Sequence, residues 1–509
     1  MEKLILESAW LDGSPRDVLV ADGKFANTTG DLTPQDREDA ETVDCRGLAL
    51  VPAFYNGHCH AAMTLLRGYA DGMPLDKWLQ ECIWPFEARL GPGDIEIGTR
   101  LAVLEMIKSG TVFFSDMYWQ REITMRVVEE MGIRTTIGVT IAENLEPPER
   151  IEEHFRFLAE HRFETDRVRL AVMPHAIYTV GENVFRRCAE VARAEGYILH
   201  THLSETRREV DDCLRTHGCT PAELLDRWGA LGPNLVAAHC VHLTGPEMAR
   251  MADAGATAIL NPCSNLKLGS GIPPIAAMLA AGMKLGLGTD GASSNNNLDM
   301  HEEMKIAALL AKATPGGTAE TLPAARALEL ATASTAAAYG LRAGRIADGY
   351  LADALLVDLA DERLAPAHDF TGNWVYSADS SSIRSVLCAG RFVMRDRRIP
   401  GEAEIVAEAE RAAARLAGRP PRLPWAAPMN TTKADYCTCA DRACPLHPAN
   451  HGKGCTPCMM KNLRAGEVPS CLWNLVSTRE ERQREGCDYR IASFAEMVRR
   501  KTPPPSPSP

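Results

Sequence analysis

An apolar run that ends in two histidines decides the fold: Val51-Pro52-Ala53-Phe54-Tyr55-Asn56-Gly57-His58-Cys59-His60. Side chains two residues apart on a strand point to the same face, so both imidazoles should project together from the strand end. Seven more apolar runs follow, alternating with helical stretches rich in Ala, Glu and Arg: 111–116, 135–140, 168–175, 197–205, 235–241, 257–261 and 284–290. This alternation predicts a parallel sheet, and eight units over roughly 290 residues suit a closed (β/α)8 barrel.

An open, doubly wound parallel sheet is the structural alternative to a barrel. No glycine-rich G-x-G-x-x-G motif follows the first predicted strand, which disfavours that alternative. Short strand-like runs with glycine punctuation occupy residues 1–50 and return at 352–357 and 385–388. Because these runs flank the predicted barrel, we expect them to form one small split β-sandwich.

Polar side chains recur at the ends of other predicted strands. His202, followed by Glu205, ends the fifth strand, His239 ends the sixth, and Asp290 ends the eighth. Active sites of barrel enzymes lie at this end of the strands. Because buried polar groups without partners are costly, we expect these side chains and the two histidines of the first strand to share a ligand. Imidazole and carboxylate ligands suit zinc, with iron as the second choice.

The composition limits the function classes. The 509 residues carry a formal charge of −12, and 45% of them are hydrophobic. An acidic balance argues against a nucleic-acid binder, which usually shows a basic face. No apolar run approaches the ~18–20 residues of a membrane span, and residues 1–12 lack the basic and apolar regions of a signal peptide. We therefore expect a cytoplasmic protein that binds neither nucleic acid nor membrane. We also expect a homo-oligomer.

Seven of the sixteen cysteines fall between residues 437 and 487, beyond a proline-rich stretch. Spacings of one to four residues let a short loop present several thiolates to one ion. We predict a second zinc site here, with these candidate ligands: Cys437, Cys439, Cys444, His447, Cys455, Cys458 and Cys471. An iron–sulfur cluster and redox-active or disulfide-bonded cysteines are the alternatives. A structural metal suits a unit of this size because its hydrophobic core is thin.

The predicted class is α/β: a metal-dependent (β/α)8 TIM barrel with a small split β-sandwich domain and a small C-terminal Cys-rich domain. The predicted boundaries are a sandwich half over 1–50, the barrel over 51–341, a second sandwich half with a closing helix over 342–417, a proline-rich linker over 418–432, the Cys-rich domain over 433–501 and a disordered tail over 502–509. We expect the closing helix at Glu402–Leu416.

The combined motifs resemble the amidohydrolase superfamily and, within it, the branch of 5-methylthioadenosine/S-adenosylhomocysteine deaminases. The resemblance runs from residue 1 to about 410 and is carried by six segments: Asn56–Gly68, Ile83–Leu90, His202–Thr206, Ala238–His242, Asn265–Leu268 and Gly288–Gly291. It implies that four residues bind the metal: His58, His60, His202 and Asp290. Binuclear relatives carry a carboxylated lysine at the end of the fourth strand, where this chain has Met173-Pro174-His175. We therefore expect a single ion in the barrel.

The resemblance implies hydrolytic deamination of an adenine nucleoside to its inosine analogue and ammonia. The candidate substrates are 5-methylthioadenosine, S-adenosylhomocysteine, 5′-deoxyadenosine and adenosine. Glu205 should protonate the ring nitrogen next to the attacked carbon, Asp290 should accept the proton of the attacking water, and His239 should stabilise the developing negative charge. One alternative is an amidohydrolase of a free purine, an 8-oxopurine or a triazine. The other is an inactive metal-binding interaction protein, which would have no need of Glu205.

Substrate contacts are also implied by the resemblance. Glu87 matches a carboxylate that binds ribose hydroxyls, His175 and Arg150 match further contacts, and Trp84 could cover a purine face or simply pack. His200 faces the barrel interior one layer deeper, and we expect a core histidine. Relatives that accept S-adenosylhomocysteine often carry an extra arginine at the end of the third strand, and residues 137–140 contain none. A smaller 5′-substituent fits this loss at least as well.

Overall fold

The computed structural model describes residues 3–160, 165–419, 461–462, 467–468, 470–473, 477–484 and 490–501. The chain divides into two compact units, residues 1–420 and 421–509. Sixteen strands lie in the described part of the first unit: β1 Lys3–Leu11, β2 Ser14–Ala21, β3 Lys24–Asn27, β4 Ala40–Asp44, β5 Leu48–Pro52, β6 Phe54–Cys59, β7 Thr111–Asp116, β8 Arg134–Ile141, β9 Val168–Pro174, β10 Ile198–Leu203, β11 Leu235–His239, β12 Thr257–Leu260, β13 Lys284–Leu287, β14 Ala354–Asp358, β15 Ile383–Cys388 and β16 Arg391–Met394.

Strands β6 to β13 form the predicted parallel barrel. They pair in chain order, and almost all of their residues are buried because helices cover the outer face. The two end strands come together where the Asp290 amide donates to the His58 carbonyl at 2.9 Å. Gly57 lies where the barrel interior is tight, since a Cβ there would lie 2.7 Å from the Ile259 side chain and 3.0 Å from the Leu287 carbonyl oxygen. The predicted (β/α)8 fold is confirmed.

One predicted strand spans two elements of the structure. The run 51–60 contains the end of β5, which pairs with β14, and all of β6, which belongs to the barrel. The chain changes sheets at Ala53 and Phe54, whose amides donate to Asp353 and Gly110 carbonyls at 3.2 and 2.9 Å. The apolar run is continuous because both strands are buried, so its pattern does not mark the boundary.

The remaining strands form one mixed sheet from the two ends of the barrel sequence. Its order is β16-β15-β14-β5-β1-β2-β3, with β4 on β1. The antiparallel pair of β5 with β14 brings the early and late strands together as predicted. Asp353 is fully buried immediately before β14. It accepts from Tyr55 on β6 and pairs with Arg134 on β8, and these contacts join the mixed sheet to the barrel.

Helices follow the barrel strands along the chain. The α-helices are α1 Pro34–Arg37, α2 Leu75–Lys77, α3 Trp84–Glu87, α4 Pro92–Lys108, α5 Arg121–Met131, α6 Pro148–Glu160, α7 Glu182–Glu195, α8 Arg207–His217, α9 Pro221–Arg227, α10 Gly245–Ala254, α11 Pro262–Lys267, α12 Ile275–Ala280, α13 Met300–Ala313, α14 Ala324–Glu329, α15 Thr335–Ala338, α16 Phe370–Tyr376 and α17 Glu402–Leu416. Short 3₁₀ segments lie at Ala61–Leu66, Glu143–Leu145, Glu362–Leu364 and Ser380–Ser382, and π segments at Trp78–Ile83 and Leu330–Ser334. The closing helix α17 has the predicted bounds.

The described part of the second unit contains three helices, Ser470–Trp473, Arg479–Arg484 and Ile491–Lys501. Their small core consists of Val468, Trp473 and Met497. Six of the predicted tail ligands lie outside the described residues: Cys437, Cys439, Cys444, His447, Cys455 and Cys458. Cys471 lies in the first of these helices, and its side chain is also outside the description. Among the described helices, none combines the length and apolar character needed to cross a membrane.

Candidate active site

Five side chains of the types that can bind a metal converge at the carboxyl ends of four barrel strands: His58, His60, His202, His239 and Asp290. One ligand atom of each of His58, His202, His239 and Asp290 lies within 4.8 Å of the others. The fifth, His60, has its Nε2 atom 3.1 Å from Asp290 Oδ1 and 3.4 Å from His202 Nε2. All five are buried. The structure thus brings together the four predicted ligands and adds His239 to them. These five residues form the donor cluster.

The imidazole rings are oriented by hydrogen bonds on their Nδ1 atoms. His60 donates to the Met117 carbonyl and His202 to the His175 carbonyl, each at 2.7 Å. Such bonds place the proton on Nδ1 and leave the Nε2 lone pair free to ligate. His58 Nε2 is buried and has no hydrogen-bond partner in the described part of the chain. An orphaned ring nitrogen beside a carboxylate and further imidazoles is the donor set that zinc prefers, so these residues fit a metal ion.

Asp290 is held in a specific orientation by two hydroxyls. Its Oδ2 atom accepts from Ser264 and Ser294, each at 2.7 Å, which leaves Oδ1 facing His58 and His60. Burial alone would raise the pKa of Asp290, but the neighbouring His58 and His60 imidazoles hold that pKa well below its usual range. The residue also has a left-handed φ of 61°, a conformation that costs energy and is often found at functional sites.

Glu205 lies in the turn between β10 and α8. Glu209 fixes this turn, because its carboxylate accepts from the Ser204 amide at 2.9 Å and from the Glu205 amide at 2.7 Å. The Glu205 carboxylate lies 3.7 Å from His239 Nε2 and accepts from Ser270 at 3.4 Å. Burial raises the pKa of Glu205, against the opposing effect of His239. A buried carboxyl group with a raised pKa beside the donor cluster suits proton transfer.

An inner cavity of about 60 Å³ is lined by His60, His202, His239, Asp290 and Glu205, together with three predicted substrate contacts. Glu87, on α3, accepts from the Tyr118 hydroxyl at 2.7 Å, and burial raises the pKa of Glu87 to about 7. His175 is held by Thr179 Oγ1 at 2.9 Å. Trp84 lines both this cavity and a larger one of about 630 Å³ at the barrel mouth, so the two cavities adjoin.

Comparison with known proteins identifies the family of the barrel unit. A model described as Amidohydrolase family matches residues 49–393. The chain belongs to this family. It is therefore a hydrolase that acts on carbon–nitrogen bonds. Residues 431–503 of this amidohydrolase match a second model, described as a domain of unknown function (DUF6485).

Several relatives of the amidohydrolase are similar over most of their length. The 5′-deoxyadenosine deaminase of Methanothermobacter thermautotrophicus is 41% identical over 412 residues, which cover 79% of this chain and 95% of that protein. The 5-methylthioadenosine/S-adenosylhomocysteine deaminase of Halobacterium salinarum is 41% identical over 386 residues, or 74% and 89% of the two chains. An adenosine deaminase from Xanthomonas campestris, solved with bound zinc, has a TM-score of 0.76 and 32% identity, covering 82% of this chain and 98% of that one.

One arginine and two further histidines of the amidohydrolase lie in different surroundings. Arg150 is exposed on α6, its Nη1 atom is 2.8 Å from Glu153, and it lines neither cavity at the mouth, so the structure does not bring it to the predicted substrate site. His242 is half-buried and bonds to the Ser270 carbonyl at 2.7 Å, outside the donor cluster. His200 is fully buried as predicted, but it contacts His58 directly.

Sequence reasoning missed the residues that orient the amidohydrolase site. Ser264 and Ser294 bind Asp290, and Asn265 Oδ1 accepts from His239 Nδ1 at 2.8 Å. Asn265 lies in one of the motifs that carry the family resemblance, and its place in that motif could have indicated a role at the site. Glu209 follows Glu205 by one helical turn, but that spacing alone does not reveal a carboxylate that binds backbone amides.

Proposed function

We propose that this amidohydrolase is a metal-dependent deaminase of an adenine nucleoside, which it converts to the inosine analogue and ammonia. The observation that carries the proposal is the convergence of the donor cluster, Glu205 and Glu87 on one cavity. A donor cluster alone would suit many hydrolases. Glu205 adds a proton donor, and Glu87 adds a carboxylate that can accept from two neighbouring sugar hydroxyls at once. The names of the relatives support the same substrate class.

His58, His60, His202 and Asp290 would hold one zinc ion, with iron as the alternative, and His239 would face the reacting groups. When bound, such an ion supplies hydroxide at neutral pH by lowering the pKa of water from 15.7 towards ~7. A second zinc ion in the tail, with the candidate ligands predicted from the sequence, stays a proposal. Cytoplasmic location and a homo-oligomeric state are likewise proposals.

The chain's own residues supply the proton transfers. As hydroxide adds to the amino-bearing ring carbon, Glu205 donates its proton to the adjacent ring nitrogen. Asp290 accepts the proton that the attacking water loses, and its two serine partners hold the carboxylate in place. As the ring carbonyl forms, Glu205 takes back a proton from the added hydroxyl, and Asp290 passes the proton that it accepted to the departing amine, which leaves as ammonia. His239, 3.7 Å from Glu205, stabilises the negative charge that develops on the added oxygen.

The two cavities together have room for a nucleoside. The inner cavity is smaller than the ~300–1,000 Å³ of ordinary ligand pockets, whereas the mouth cavity falls in that range. The cavities share five lining residues: Leu75, Leu79, Trp84, Tyr178 and Leu268. We propose that the reacting edge of the purine and the ribose diol lie at the inner cavity, which Glu205 and Glu87 line, and that the 5′-substituent extends into the mouth cavity. Trp84 is then placed to cover an aromatic face.

The sugar-binding role of Glu87 predicts a specific pattern of losses in Glu87→Ala. Removing a charged hydrogen-bond partner costs about 1.5–3 kcal/mol, so KM for ribonucleosides should rise by about ten-fold or more. The rise should be smaller for 2′-deoxynucleosides and least for bare adenine, since these lack part or all of the diol. Steady-state kinetics with the three substrates measures the pattern.

Tyr118→Phe is the matched control for this prediction. It removes the hydroxyl that donates to Glu87 but leaves the carboxylate available to the sugar. It should therefore have a smaller effect on KM than Glu87→Ala. An equal loss for all three substrates in Glu87→Ala would contradict the sugar-binding role and would favour the alternative of a free-base amidohydrolase.

The proposed domain boundaries predict that the tail is dispensable for the chemistry. Every residue assigned to the reaction lies in the first compact unit, and residues 433–501 are proposed to fold as a separate Cys-rich domain. A chain that ends after Arg419 should keep the kcat of the full-length protein. Parallel kinetics and metal analysis of both proteins test this expectation. Loss of turnover in a shortened chain that keeps its barrel metal would show that the tail contributes to the active site.

A further inference from the structure

His58 differs from its neighbours in the group that contacts its Nδ1 atom. His60 and His202 donate to backbone carbonyls, and His239 donates to an amide oxygen. These oxygens can only accept, so each fixes the proton on the imidazole. His58 Nδ1 instead lies 3.0 Å from Nε2 of His200, another imidazole, which either donates or accepts depending on its tautomer. The ligating form of His58 therefore depends on where His200 carries its own proton.

The surroundings of His200 determine that position. The Tyr339 hydroxyl donates its one proton to the Gly57 carbonyl. It can then only accept from His200 Nδ1, which lies 3.1 Å away. The Ser115 hydroxyl lies 3.2 Å from the same nitrogen and offers a second acceptor. His200 therefore carries its proton on Nδ1, and its Nε2 lone pair accepts from His58 Nδ1.

We propose that His200 is a positioning residue that keeps the proton of His58 on Nδ1 and so keeps His58 Nε2 available to the metal. The inference rests on the proposed metal site and assigns a function to a residue that the sequence pattern alone places in the core. The hydrogen-bond chain runs from His58 through His200 and Tyr339 to Gly57, the residue next to His58. All four residues are buried.

The hydrogen-bond chain explains why two histidines lie two residues apart on β10. Both project into the barrel, His202 at the level of the donor cluster and His200 one layer below it. If His200 were an apolar residue, His58 Nδ1 would lose its acceptor. His58 could then carry its proton on Nε2, which blocks ligation. Loss of such an outer partner typically weakens metal binding by about 10–100-fold.

Three variants of the full-length protein test the proposal: His200→Phe, His200→Gln and Tyr339→Phe. The probe is Zn²⁺ alone, measured by competition with a chelator, and His58→Ala supplies the baseline for zinc bound outside the barrel. His200→Phe should weaken barrel zinc binding by about ten-fold or more. His200→Gln should recover most of the lost zinc affinity because its amide oxygen can accept from His58. Tyr339→Phe should have an intermediate effect, since Ser115 remains as an acceptor.

The melting temperature of each metal-free protein separates positioning from general packing. Rescue of zinc affinity by glutamine, at unchanged metal-free melting temperatures, would support the positioning role. Wild-type zinc affinity in a folded His200→Phe would overturn it. Equal losses of affinity and stability in the phenylalanine and glutamine variants would also overturn it, because packing would then explain both. If His200→Phe does not fold, the zinc affinity of Tyr339→Phe decides the question. Weaker zinc binding at an unchanged metal-free melting temperature would support the positioning role, and wild-type affinity would overturn it.

Failure of this inference is distinguishable from failure of the proposed function. The unmodified protein loaded with zinc is assayed for ammonia release from adenine nucleosides. If that protein is active and His200→Phe binds zinc normally, only the role of His200 is wrong. If the unmodified protein binds no zinc above the His58→Ala baseline, the proposed metal site fails, and the role of His200 fails with it.

Discussion

Glu205→Gln should lower kcat by at least about 100-fold, the usual scale for loss of a general acid–base. Glutamine keeps the size of the side chain and can still accept from Ser270, but it cannot release a proton to the purine ring. Zinc content and substrate affinity should stay near those of the unmodified protein, because Glu205 is not among the proposed ligands. Ammonia release under saturating nucleoside measures kcat, and metal analysis of the same sample measures zinc.

Glu247→Gln is the matched control for Glu205→Gln. Glu247 is also a buried glutamate at the start of a helix, where it accepts from the Thr244 amide and hydroxyl at 2.7 Å. It does not line the inner cavity. Glu247→Gln should therefore lower stability rather than turnover. If Glu205→Gln behaved in the same way and kept its turnover, Glu205 would be a structural carboxylate of the β10–α8 turn and not the acid–base.

The barrel and its donor cluster could be predicted because both depend on local periodicity. Buried parallel strands give short apolar runs, and side chains at their carboxyl ends must meet at one rim whatever the loops do. His58, His202 and Asp290 could therefore be assigned to one site without any knowledge of loop structure. The boundary between β5 and β6 could not, since burial on both sides of it produces one uninterrupted apolar run.

Residues that act through loop geometry were beyond the reach of the sequence pattern. Ser264 and Ser294 come from two different loops and meet only at Asp290 Oδ2. Glu209 acts on backbone amides, which every residue carries, so nothing in the sequence marks its partners. Arg150 was predicted as a substrate contact from the family resemblance alone. The structure places it on an exposed helix face beside Glu153.

Removing the barrel metal should reduce turnover to the uncatalysed background. Without the ion, the pKa of water returns from ~7 to 15.7, so the fraction present as hydroxide at neutral pH falls by about eight orders of magnitude. The remaining groups, Glu205 and His239, transfer protons and stabilise charge but do not generate the nucleophile. Chelation followed by assay measures the loss, and stepwise return of zinc should restore the full rate.

Single replacements distinguish the ligands from the neighbouring histidine. Asp290→Ala and His60→Ala should each bind one zinc fewer per chain than the unmodified protein, and added zinc at ordinary concentrations should not restore their activity. His239→Ala should keep the barrel zinc but turn over slowly, because its imidazole is assigned to the developing charge. Loss of zinc in His239→Ala with retention in His60→Ala would reverse these two assignments. The structure gives a basis for such a reversal, since a ligand atom of His239 lies within 4.8 Å of those of His58, His202 and Asp290.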